Sequence, residues 1–232
     1  MQTTGRGAPG AITAIVFDFD GVLADTEPLH FQAFQDTFDR RGWPFSEAEY
    51  RSQYLALSDR DLLYAYAETH DRLFGPGEVA TILNEKSEAY RARLEAPHVL
   101  YPAAVSCVSR LRQRYPLGIA SGSLRAEIRD ILTAHHLLDA FSTIVAIDDV
   151  THGKPDPESY RRAAERLGVP PSACVAVEDT RWGLEAARAA GLRTVGITNT
   201  TTRPNLKAAD WVIDHLDELT DEAITSFAYD PR

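Results

Sequence analysis

Cysteine is nearly absent: the 232 residues hold only Cys107 and Cys174, with no CxxC and no paired histidine spacing around them. Redox and metal roles are therefore not expected of either. Both read as small buried residues, one in the helical "VSCVSRL" and one in the strand-like "ACVAVED". The compartment this implies is the reducing cytoplasm. Long apolar runs are also missing, so no membrane span is expected, and "MQTTGRGAPG" lacks the apolar centre of a signal peptide. Residues 1–10 read as a flexible tail. Positive charge is in deficit, with 24 Lys and Arg against 34 Asp and Glu and a net charge of −10. That argues against a binder of nucleic acid or anionic membrane living on bulk electrostatics. A small anionic substrate stays open, because local positive groups can outweigh a distant negative surface. There is no internal repeat and no low-complexity tract. What is present, 44% hydrophobic and 25% charged residues, suits a globular chain with one large domain or a domain plus a smaller module.

"ITAIVF" is a short apolar run rich in β-branched residues, the pattern of a strand covered on both faces. Comparable runs recur at "PLGIAS", "FSTIVAI", "ACVAVE" and "RTVGIT", with a weaker one at "DWVI". Between them lie helical patterns. "AAVSCVSRLRQR" aligns Val105, Val108 and Leu111, and "SLRAEIRDILTAHH" aligns Ile128, Ile131, Leu132 and His135. "DPESYRRAAERLG" and "EAARAAGL" each finish on a glycine suited to a helix C-terminus. Strand–helix alternation from about residue 98 predicts an α/β fold: a parallel sheet with helices on both faces. Residues 27–97 break the alternation. Phe31, Phe34 and Phe38 share a helix face ending near Gly42, and Ser46 with Glu49 has the capping-box spacing. Ser58 caps a helix carrying Leu62, Leu63 and Tyr66, and a last helix runs through Val79, Ile82, Leu83, Tyr90 and Leu94. Consecutive helices cannot extend a sheet, so this segment is expected to be a helical insert. The core would then be 11–26 with 98–232.

In open α/β sheets ligands bind outside the carboxyl ends of the strands. Four such ends here are polar. The first, "VFDFDG", carries Asp18 and Asp20; the second, "GIASGS", carries Ser121, Gly122 and Ser123. The stretch after "FSTIVAI" supplies Lys154, and "VAVEDTRWG" supplies Glu178 and Asp179. Each alone is an ordinary turn, cap or loop signal. Together, the carboxylates gathered in one crevice would repel one another unless a divalent cation with oxygen ligands joined them, which suits Mg2+.

"DFDGVLADTE", "ASGS", "GKPDPE" and "VEDTRWGLEAARAAG", in that order, resemble the four motifs of the haloacid dehalogenase (HAD) superfamily. The likeness is nearest to its β-phosphoglucomutase and phosphoglycolate phosphatase branch and covers nearly the whole chain after the tail. It implies a Rossmann-like core with an inserted α-helical cap domain, and a phosphatase using Mg2+ on a small sugar-phosphate-like ester. By that resemblance Asp18 is the nucleophile, becoming an aspartyl-phosphate, and Asp20 the general acid and then base. Ser121 and the Gly122 N–H would hold phosphate oxygens, and Lys154 would neutralise both Asp18 and the phosphoryl group. Asp18, the Asp20 carbonyl, Asp179 and Glu178 (directly or through water) would hold the metal. A turn after the strand, helped by Gly21, would bring both aspartates inward.

For the cap, the resemblance offers His30 and Arg60 as substrate-contacting candidates, beside plainer readings as a packed helix histidine and a surface arginine. The sequence departs from the mutase loop, which has arginine directly after its serine: here Asp59 follows Ser58 and Arg60 comes one place later. Ala56 stands where many relatives have glycine. Hydrolysis is therefore favoured over a phosphomutase reading, with a non-catalytic binding protein of the same fold as the alternative from another class. Dehalogenation, which needs no metal, fits the retained Asp20 and acidic pair poorly. His135, His136 and His152 read as structural or loop residues, and Trp182 as packing at the site wall. A monomer acting on a small-molecule phosphate ester is expected.

Overall fold

The computed structural model describes residues 11–55, 57–93 and 99–228. The expected tail (1–10), Ala56 and Leu94 lie outside them. In chain order, β1 (Ala14–Phe17) is followed by helices α1 (Glu27–Asp39), α2 (Glu47–Glu49), α3 (Asp59–Thr69) and α4 (Glu78–Arg91). Then come α5 (Ala104–Leu111), β2 (Leu117–Ala120), α6 (Arg125–Ala134), β3 (Thr143–Val145), α7 (Glu158–Leu167) and β4 (Cys174–Glu178). The chain continues through α8 (Arg181–Ala189), β5 (Arg193–Ile197), β6 (Trp211–Ile213) and α9 (Asp221–Ala228). It divides into two compact units, Met1–Ala24 with Leu100–Arg232, and Asp25–Val99.

The first unit is α/β, with one parallel sheet in the order β3-β2-β1-β4-β5-β6. The chain winds outward from β1 to β3, then returns to lay β4 on the other side of β1. That reversal is a topological switch point, and the crevice at the carboxyl ends of β1 and β4 is where such sheets bind ligands. Register makes this concrete. Phe17 lies opposite both Ile119 and Val177, so Asp18, Ala120 and Glu178 end three adjacent strands at one level. Strands β1, β2 and β4 are buried on both faces, as continuous apolar runs require. On one face Ala14, Val16 and Ala176 meet Tyr160, Ala163 and Ala164 of α7 and Ala186 and Ala187 of α8, small residues that let helices approach closely. One detail of the expected patterning is corrected. Val105 is exposed, and α5 buries Ala104, Cys107, Val108 and Leu111 instead, because the inward stripe is rotated by one residue. Both cysteines are free and buried.

The second unit is helical and aromatic. Phe34, Phe38, Phe45, Tyr54 and Tyr66 form its centre, with Phe38 and Tyr66 ring centroids 4.5 Å apart. Ser58 caps α3 by accepting from the Asp61 N–H at 3.2 Å. Ser46 caps α2 through the Glu49 N–H at 3.2 Å. The Glu49 carboxylate turns elsewhere, accepting from Tyr54 Oη at 2.9 Å and meeting His70 Nε2 at 2.6 Å. From α2 the chain passes into a π-helical turn, Tyr50–Tyr54, that buries both tyrosines. Among the described residues no helix is long and apolar enough to cross a membrane.

Candidate active site

Two aspartates one residue apart on a strand would face opposite ways. Here the strand stops at Phe17, and Gly21 turns the chain at φ +75°, its N–H donating to the Ala24 carbonyl at 2.8 Å. Only glycine fits: a Cβ there would stand 2.1 Å from Asp179 Oδ2. The two carboxylates consequently have different company. Asp18 Oδ1 lies 2.9 Å from Lys154 Nζ and accepts from the Phe19 N–H at 2.7 Å. Asp20 Oδ2 accepts from Ser121 Oγ at 3.2 Å and from Ser123 Oγ.

Asp18, Glu178 and Asp179 are buried, with one carboxylate oxygen from each lying within 4.8 Å of the others. Lys154 faces two of them, reaching Glu178 Oε1 at 2.5 Å as well as Asp18. Three carboxylates against one ammonium leave an excess of two negative charges when all are ionised. Burial above all, then the charge of Glu178, pushes the Asp18 pKa well above the ordinary carboxylate range despite the pull of Lys154. Burial opposes the charge on Lys154, but Asp18 and Glu178 more than reverse that, so its pKa lies above the ordinary lysine value. A buried, oxygen-only donor set with surplus negative charge fits a hard divalent cation.

Glu178 is the most tightly held of the three. Its Oε1 accepts from Tyr160 Oη at 2.8 Å as well as from Lys154, and its Oε2 accepts from the Thr180 N–H and Oγ1 at 3.2 and 3.0 Å. Thr180 caps α8, so this carboxylate sits at a helix N-terminus, where anions are stabilised. A Cβ on Gly183 would overlap its oxygens at 1.8 Å, so glycine is what lets α8 close over it. Asp179 Oδ2 accepts from Thr200 Oγ1. Ser121 Oγ accepts from the Ser123 N–H at 3.0 Å, and Gly122 is exposed with open space where a side chain would be.

The residues of the core motifs thus converge; the two expected from the cap belong to the helical unit. There His30 stacks on Tyr90 at 4.4 Å, and its Nδ1 lies 2.7 Å from Lys86 Nζ, whose ammonium can only donate. Lys86, fully buried, also reaches Asp59 Oδ2 at 2.7 Å. Arg60 is exposed on α3 beside Asp59. Trp182 does not pack into a wall: it is 40% exposed, with the Arg181 guanidinium over its ring at 4.2 Å, because α8 turns that face outward.

The family model for haloacid dehalogenase-like hydrolases matches residues 12–191. The chain belongs to that family. It is 34% identical over 221 residues to Protein CbbY of Rhodobacter capsulatus, covering 92% of this chain and 97% of that protein. To the fructose-1-phosphate phosphatase YqaB of Escherichia coli it is 34% identical over 187 residues, or 79% of this chain and 95% of the other. The crystal structure of CbbY from Rhodobacter sphaeroides with xylulose-(1,5)bisphosphate superposes with a TM-score of 0.83 at 31% identity, covering 92% and 99% of the two chains.

In this haloacid dehalogenase-like hydrolase, sequence reasoning passed over Tyr160, Thr180, Thr200 and Lys86. The first three act through hydrogen bonds that only folding creates. Lys86 had a readable signal. It lies four residues from both Ile82 and Tyr90, on the buried stripe of α4.

Proposed function

We propose that this chain is a Mg2+-dependent phosphatase that hydrolyses a small, sugar-phosphate-like monoester through an aspartyl-phosphate on Asp18. One observation carries the reading: a single ammonium and three buried carboxylates meet at the β1/β4 switch point, while Asp20 stands apart on two serine hydroxyls. The relatives add the substrate class, since one is named for fructose 1-phosphate and one is seen with a sugar bisphosphate.

Asp18, Asp179, Glu178 and the Asp20 carbonyl are the groups that would hold Mg2+, whose charge, when bound, offsets the repulsion between Asp18 and a phosphate dianion. Lys154 pulls the Asp18 pKa down against its burial, a bound cation would add to that pull, and the ammonium faces the negative charge of the transferring phosphoryl group. An Asp18 oxygen forms a bond to phosphorus as the ester P–O bond breaks, and protonated Asp20 gives its proton to the departing alkoxide. In the second step Asp20 takes a proton from water as the water oxygen bonds to phosphorus and the Asp18–phosphorus bond breaks. The Ser121 hydroxyl and the Gly122 N–H serve as donors to phosphate oxygens. His30 and Arg60 are the helical unit's candidates for choosing the substrate.

A panel of phosphorylated metabolites with Mg2+, read by released phosphate, tests the proposal. Asp18→Asn should lower turnover by about 10³-fold or more, and chelation should abolish it reversibly. Turnover surviving both treatments, or inactivity across the whole panel, overturns the reading. Isomerisation of a hexose phosphate faster than phosphate release would replace it with a mutase.

A further inference from the structure

A second polar hollow lies on the α/β unit, away from Asp18. A cavity of about 560 Å³ runs along the free edge of β3, bounded by the segment that leads into that strand and by α6 and α7. It shares no residue with the carboxylate cluster, and β2 stands between β3 and β1. Three guanidinium groups line it: Arg125, Arg129 and Arg166. In a chain of net charge −10 three arginines around one hollow are a local concentration of positive groups.

Two of the three are held in place. Arg125 and Arg166 both donate to the Ile144 carbonyl, at 2.8 and 2.9 Å, and both pair with Asp149. Capping an edge-strand carbonyl protects that edge from pairing with another chain, and it also fixes two forks with N–H groups to spare. Arg129 is exposed, and no hydrogen bond or ion pair engages it among the described residues. Asp139 is the only carboxylate in the lining. Asp149 stands behind two of the arginines and Asp148 Oδ1 accepts from the Arg125 backbone N–H at 3.0 Å, so the hollow as a whole is near neutral and its unspent positive charge lies on Arg129. Ser142, Leu138 and Phe141 line the hollow beside the arginines.

We infer that this hollow binds a phosphorylated small molecule, its phosphoryl oxygens on Arg129 with Arg125 and Arg166 and its organic body on Phe141 and Leu138. Planar guanidinium forks match the oxygens of a phosphoryl group. Two of the forks need no ordering on binding, which lowers the entropic cost. Leu138 and Phe141 beside the arginines favour an ester over the bare anion.

Phenylphosphonate, which the proposed hydrolysis cannot cleave, is the probe. It is titrated into the full ¹⁵N-labelled chain in chelator and followed amide by amide. Saturable shifts are expected at Arg129, Phe141 and Ser142, with at least tenfold weaker binding there in Arg129→Ala. Arg129→Gln, which keeps the aliphatic stem and loses the charge, should weaken binding equally. Phosphatase turnover of both variants should stay within twofold of the parent. Inorganic phosphate should bind these amides at least tenfold more weakly than phenylphosphonate. Shifts confined to Ser121, Gly122 and Lys154, unchanged binding in either variant, or equal affinity for inorganic phosphate would each overturn the assignment.

Discussion

Each unit of the molecule encloses a lysine, Lys86 completely and Lys154 with 13% of its side chain exposed, and the two surroundings differ in a way that separates their uses. Lys154 sits among oxygen anions in surplus, paired to Asp18 and Glu178 with Asp179 close by, and its ammonium lies 5.1 Å from the Tyr160 ring. Lys86 faces one carboxylate, Asp59, and one imidazole, with the Phe34 and Tyr90 rings at 5.2 and 4.8 Å. The second arrangement is balanced in charge and completed by cation–π contacts. The first is not balanced. A buried site left with excess negative charge is unstable alone and suited to receive a cation, whereas a balanced one holds a fold together.

Removing each charge in turn breaks the comparison. The largest effect belongs to Lys154→Met. It should lower phosphatase turnover by about 10³-fold, the scale of losing one preorganised donor in a phosphoryl-transfer site. It should also lower the thermal midpoint more in chelator than in Mg2+, because the cluster then has no counter-ion of its own. Turnover within tenfold of the parent would detach Lys154 from the chemistry.

Lys86→Met comes next. Methionine keeps most of the volume against Phe34 and Tyr90 and removes the charge. Breaking a buried pair destabilises by about 3–5 kcal/mol, but Asp59 is 37% exposed and can be rehydrated. The expected loss is therefore about 2 kcal/mol, read from urea unfolding of the whole chain. No change would mean that the aliphatic stem, and not the ammonium, does the packing.

The same contrast explains what could be read from the sequence. The sheet was legible because "AIVF", "LGIA" and "CVAVE" are continuous apolar runs, and its polar ends stood out because Asp18, Lys154 and Asp179 interrupt or follow such runs. The helical unit was legible only as helices. Its lysine hides in "LNEKSEAY", where a charged residue on a helix looks solvated until tertiary packing shows which face is inward. The Val105 stripe failed for a related reason. In an eight-residue helix, neighbouring i, i+3 stripes lie close together, and only the packing of the folded unit decides which one is buried. Tyr160 was invisible as a site residue because its hydroxyl meets Glu178 across 18 positions of sequence.

Tyr160→Phe sharpens the α/β half. The hydroxyl is buried, and it is one of two donors on Glu178 Oε1. Its loss should cost about 1 kcal/mol, the net value of a hydrogen bond, with the ring retained beneath Lys154. Urea unfolding in chelator measures it. A loss above about 3 kcal/mol would mean that Glu178 depends on Tyr160 more than on Lys154 and Thr180.

The smallest effect is expected at Asp59→Asn. The amide oxygen can still accept from Lys86, His30 Nδ1 stays 2.7 Å from the ammonium, and the position is more than one-third exposed. An ion pair open to solvent on one side contributes about 0.5 kcal/mol, so the urea midpoint should barely move. The asymmetry is the informative quantity. If Lys86→Met is several-fold worse than Asp59→Asn, the burden lies in what surrounds the lysine, its two rings and the imidazole. Equal losses would place it in the Asp59–Lys86 pair, and the helical unit would then depend on ionic attraction as directly as the carboxylate cluster does.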